Sequence, residues 1–107
     1  MMLSKKNLTI ENDNPTQLEI IVTNHDSEGV FRYQPEPEDE VKLIIYTQDG
    51  EQVGEYLADI SDPTYVFVNV DTTGIPAGHY NYRIVVTIAA EEQTYIINEN
   101  DTLIIRR

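Results

Sequence analysis

The sequence has no cysteine among its 107 residues. Disulfide staples and thiolate metal sites are therefore excluded, and the fold must rest on a packed core. It has only two histidines, His25 and His79, so zinc has no obvious ligand set. Basic residues are scarce, 7 against 19 acidic, for a net charge of −12. Such a chain repels phosphate backbones and anionic lipid, so neither nucleic acid nor a membrane surface is expected as a partner. No apolar run is long enough to span a bilayer. The first six residues place their lysines after the apolar residues with no apolar stretch beyond, so no signal peptide is expected. Convincing helical periodicity is also missing, and with it any phosphate-cradling loop that leads into a helix.

What remains is period-2 text cut by turn signals. Apolar residues make up 40% of the chain and gather in short runs, which argues against disorder. Extended pieces are expected at residues 8–11, 17–23, 30–33, 41–47, 52–57, 64–70, 79–88, 93–97 and 103–106. Residues 24–29 read as a loop, and residues 34–40, rich in proline and glutamate, as an exposed connection. Asp49-Gly50 between two strand patterns signals a tight hairpin, residues 89–92 close a second one, and residues 98–101 read as a polar turn. The expected fold is all-β, a single domain over residues 1–107: an antiparallel immunoglobulin-like β-sandwich of about seven or eight strands.

The least generic stretch is DTTGIPAGHYNYRI at residues 71–84. Gly74 and Gly78 suit backbone angles closed to other residues, and Pro76 fixes its own φ and constrains Ile75. Beyond Gly78, Tyr80, Tyr82, Ile84, Val86 and Ile88 share one strand face, and Asn81, Arg83, Val85 and Thr87 the other. Tyr80 is expected to bury its ring and hand its hydroxyl to a nearby backbone group. Asp71, Thr72, Gly74, Pro76, Gly78, Tyr80 and Tyr82 are thus read as a structural corner.

Catalysis finds no footing. His25-Asp26-Ser27 is the one local coincidence of base, acid and hydroxyl, but adjacent residues point apart and cannot form a relay. Nineteen acidic residues make chance carboxylate pairs inevitable. The oxygen-rich stretches at residues 11–14, 36–40 and 98–101 lack the ligand spacing of a calcium loop, and Asn/Asp turns form for backbone reasons alone. Asn7-Leu-Thr9 and Asn100-Asp-Thr102 match a glycosylation sequon by coincidence. No enzyme, metal or other cofactor is expected.

Several strands are apolar on both faces, where a sheet facing water should alternate. β-Branched residues suit strands even when half exposed, which accounts for some of this. A covered outer face accounts for it as well, and marks Ile21, Ile44, Tyr46, Phe67, Val85, Ile96 and Ile104 as a candidate interaction surface.

The run at residues 71–84 resembles phage structural modules of the kind found at the N-terminus of baseplate upper proteins, where a strand leads into D-T-x-x-[L/I]-P-x-G-x-Y-x-Y-x-[I/V] and a hairpin and final strand close the domain. The Asp49-Gly50 hairpin also resembles that family's central one. The chain departs from it at Asn12-Asp13-Asn14-Pro15-Thr16, where the family has a Gly-Asp-Thr turn, and in its longer acidic loop at residues 34–40. The resemblance implies a non-enzymatic bacteriophage virion protein of tail or baseplate, assembled in the bacterial cytoplasm. Its partners would be other virion proteins and further copies of itself. A head-fibre or capsid decoration protein shares the same physics. A carbohydrate-binding or adhesin-type sandwich is the third reading and needs an exposed aromatic platform, for which Tyr33, Tyr46 and Tyr56 are the candidates.

Overall fold

A computed structural model describes residues 8–11, 16–20, 23–26, 29–32, 34–62 and 64–106. Its elements are β1 (Leu8–Glu11), β2 (Thr16–Glu19), β3 (Thr23–Asp26), β4 (Gly29–Arg32), β5 (Glu40–Tyr46), β6 (Gln52–Leu57), β7 (Phe67–Val70), β8 (Gly78–Ile88) and β9 (Gln93–Arg106). One turn of 3-10 helix, Ala89–Glu91, joins β8 to β9. The fold is all-β, with open sheets consistent with a sandwich. A five-stranded sheet runs β1-β9-β8-β5-β6, and β2-β7 and β3-β4 form two-stranded sheets.

The long alternating segments behave as their pattern dictates. On β5, Val41, Leu43 and Ile45 are buried, and on β8 so are Tyr80, Tyr82, Ile84, Val86 and Ile88. The pairing Val41↔Val86, Leu43↔Ile84 and Ile45↔Tyr82 aligns these two rows on one face. Val68 and Val70 of β7, Ile10 of β1, and Leu103 and Ile105 of β9 complete one core shared by the two sheets. The expected Asp49-Gly50 hairpin is present: Gly50 takes φ +94°, and its N–H donates to the Thr47 carbonyl at 2.9 Å.

Several expectations need correction. Residues 24–26 are not loop but β3, laid antiparallel to β4 with Asn24↔Phe31 and His25↔Val30. Backbone ladders need no apolar period, so a polar hairpin is invisible to that signal. The second strand stops at Glu19. The strand expected over residues 64–70 begins only at Phe67. Before it, Asp62 Oδ1 accepts from the Thr64 N–H at 3.0 Å and the Thr64 hydroxyl at 2.7 Å, closing a side-chain turn. Residues 98–101 are not a turn but the middle of β9, and register shifts opposite residues 82–85 absorb them. The sheet is not wholly antiparallel either, because β1 runs parallel to β9.

The acidic connection at residues 34–40 is less exposed than its composition suggests. Asp39 is buried, and its carboxylate accepts from the Glu36 N–H at 2.9 Å and the Ala89 N–H at 3.0 Å. One oxygen closes the loop on itself and the other ties it to the far end of β8. Asp39→Ala should lower unfolding free energy by about 1–3 kcal/mol, the cost of stranding buried donors. Asp39→Asn should rescue little, since its amide would face one of the two N–H groups. Urea denaturation of the three proteins measures this, and an Asn variant as stable as wild type would refute the double-acceptor role.

Candidate functional site

The corner at residues 71–78 buries Thr72 and Ile75 and leaves Asp71, Thr73, Gly74, Pro76 and Ala77 exposed. Asp71 Oδ1 accepts from the Thr73 N–H at 3.0 Å, and a hydrogen bond from the Thr73 side chain, foremost, together with this backbone one holds the carboxyl below the usual carboxylate range. Thr72 is fully buried, and its carbonyl accepts from the Ile75 N–H at 2.9 Å. Gly74 takes φ +90°, a conformation that penalises any Cβ. The Tyr80 hydroxyl donates to the Pro76 carbonyl at 2.6 Å, the expected backbone tie. These bonds are all made within the corner itself.

A second tie reaches it from β6. The Tyr56 hydroxyl donates to the Asp71 carbonyl at 2.8 Å. Tyr56 lies over Gly54, where a Cβ would come within 2.9 Å of the ring and of the hydroxyl. Glycine in mid-strand costs stability, and here it leaves room for the tyrosine. Tyr56 packs against the core, whereas Tyr46 stands on the opposite face under the Arg83 guanidinium, 4.7 Å from its ring centroid. Tyr33 lies outside the described residues. The two described tyrosines therefore form no flat platform for a sugar.

The chain's other surface of note is the outer face of the five-stranded sheet. Ile44 and Val85 stand there and are nonetheless buried, apart from the main core. They are covered from within the chain. Lys42 Nζ reaches Glu55 at 2.9 Å and Glu40 at 3.5 Å on one side of Ile44, and the Arg83–Tyr46 stack closes the other. The Glu55 hydrogen bond foremost raises the Lys42 pKa. Ile96 is 47% exposed, and Leu57, which the alternation signal did not single out, is 67% exposed. Ile104 is half-buried further along β9. Phe67 belongs to the other sheet, where its ring meets Tyr65 at 5.3 Å. Ile21 lies outside the described residues. The candidate surface thus separates: Ile44, Tyr46, Val85, Ile96 and Ile104 share one face, and Phe67 does not.

The register shows how the apolar part is arranged. Leu57 pairs with Lys42, Lys42 with Val85, and Val85 with Ile96. One row across four strands therefore carries leucine, the lysine stem, valine and isoleucine, with Glu55, Ile44 and Arg83 in the adjacent row. Leu57 was missed in the sequence because it ends a strand, QVGEYL, in which no adjacent apolar pair marks both faces.

His79 is exposed on the outer face, and His25 and Asp26 are neighbouring positions of β3. Among the described residues no three His, Cys, Asp or Glu side chains converge to hold a metal ion, and no helix is long and apolar enough to cross a membrane. The sequence matches no protein-family model and no curated protein.

Tyr82 gives the fold a pH limit. Burial, with Asp101 opposite it adding a smaller repulsion, pushes its hydroxyl up from 10.0 to about 12. The folded value lies above the unfolded one, so the neutral hydroxyl stabilises fully below pH 10 and this contribution is lost as pH rises through about 12. Stability should therefore fall across that interval, and Tyr82→Phe should fall less steeply. An equally steep alkaline loss in the phenylalanine variant would assign it to other groups.

Proposed function

We propose that this chain is a non-enzymatic structural module of a bacteriophage virion, a tail or baseplate component that docks through the outer face of its five-stranded sheet. An immunoglobulin-like sandwich is the finer reading of its fold. In support, the first strand runs beside the last, β2 and β7 pair in a separate sheet across the core, and a tyrosine-to-backbone bond sits where the penultimate strand begins.

The observation that carries the virion reading is the stretch at residues 71–84. Its text resembles that of the phage modules, and its residues are occupied in a corner where Tyr80 bonds to Pro76. The acidic, helix-poor chain with an apolar row on one sheet face suits a building block better than a catalyst.

The test is particle composition. Mass spectrometry of purified phage particles from the genome that encodes this chain should find it in fixed ratio to tail or baseplate proteins. Antibody labelling under the electron microscope should fall on the tail. Labelling of the head would transfer the role to capsid decoration, and absence from particles would overturn the virion reading.

A further inference from the structure

We propose that the outer face of the five-stranded sheet binds a second copy of this chain, sheet against sheet, about a two-fold axis. This rests on the assembly reading only in taking that face as the docking surface; it adds the identity of the occupant.

The charge distribution selects that occupant. Among the described side chains, Lys42, Arg83 and Arg106 stand on the outer face together with the acidic Glu40 and Glu55, so the described part of this face is close to balanced. Most other exposed acids lie elsewhere. Glu36, Glu38, Asp59, Asp62, Glu91 and Glu92 occupy the connections around residues 34–39, 58–65 and 89–92. A basic partner would be drawn to those acidic loops. Two copies carrying −12 each repel one another everywhere except where the charge is balanced. A surface bearing both signs is matched by a copy of itself turned through two-fold symmetry.

The apolar row fits the same symmetry. Leu57 and Ile96 are separated by three strand spacings, about 14 Å. An axis lying in the interface, parallel to the strands and between β5 and β8, brings Leu57 of one copy opposite Ile96 of the other. It also brings the stem of Lys42 opposite Val85. Glu40 and Glu55 of each copy then lie within the same contact as Lys42 and Arg83 of the other. The two exposed apolar side chains of the face are thereby covered with no unmatched charge at the centre. Burial of an unpaired charge is what an isologous contact must avoid.

Sedimentation velocity on the full chain, across a concentration series at low and high sodium chloride, tests this. We expect a reversible dimer whose association strengthens with salt, because salt screens the repulsion between two acidic chains. Leu57→Glu and Ile96→Glu should each weaken it by at least about tenfold, since each drives a carboxylate into the apolar row. Both side chains are exposed, so thermal unfolding of the monomer should be little changed. Concentration-dependent protection of the residue 55–57 and 94–96 amides from hydrogen exchange gives a second readout without substitution. A strict monomer at the highest concentration in high salt overturns the proposal. So does a dimer untouched by both substitutions, or one that salt dissolves. A monomer that is found in phage particles would refute the second-copy occupant and leave the virion reading standing; a dimer absent from particles would do the reverse.

Discussion

The hydrogen bond from Tyr80 to the Pro76 carbonyl fixes where β8 begins, and the larger sheet is registered on β8. Because side chains alternate, a slip of one residue would send Tyr82, Ile84 and Val86 to solvent and bring Asn81, Arg83 and Thr87 into the core. The corner prevents that slip by clamping the strand's first turn to its own backbone. Pairing with β5 and β9 on either side then spreads the same register across the sheet. The core is a consequence of that register.

Polar groups hold the ends of this arrangement. Asp39 ties the acidic connection to the exit of β8, and Tyr56 ties β6 to the entrance corner through the Asp71 carbonyl. Each bond joins segments far apart in sequence, and each uses a buried or half-buried side chain to satisfy main-chain atoms that an apolar residue would leave stranded. Charge is arranged with comparable economy: most exposed carboxylates lie in the loops, while Lys42 and Arg83 stand on the outer face beside Ile44 and Val85.

The parts of this legible in the sequence are those where one residue's neighbours decide its state. β5 and β8 announce themselves because both bury every second side chain, Asp49-Gly50 because its turn demands left-handed backbone, and Tyr80 because glycine and proline precede it at fixed spacing. The parts that escaped depend on distant partners. β3 has no apolar period of its own and is strand where β4 lies beside it. Residues 98–101 have turn chemistry, yet β8 supplies a ladder that carries them as strand through register shifts. The parallel contact of β1 with β9 joins the two ends of the described chain, which no local window can see. The candidate surface was legible by half. Ile44 and Val85 are apolar on an outer face, as the pattern implied, but long charged neighbours already cover them, and Leu57 carries more exposure than either.

The resemblance to phage modules and the physical reading meet at one division of labour. On the reading proposed, residues 71–82 build the fold and the outer face is the docking surface. Tyr80→Phe removes only the hydroxyl that closes the corner, so it separates these roles within a single variant. Chemical denaturation and self-association should be measured on the same sample. The account predicts a stability loss of about 1–2 kcal/mol for losing a part-buried hydrogen bond, with association of the folded chain unchanged. A fully stable variant, or a folded one that no longer associates, would contradict it.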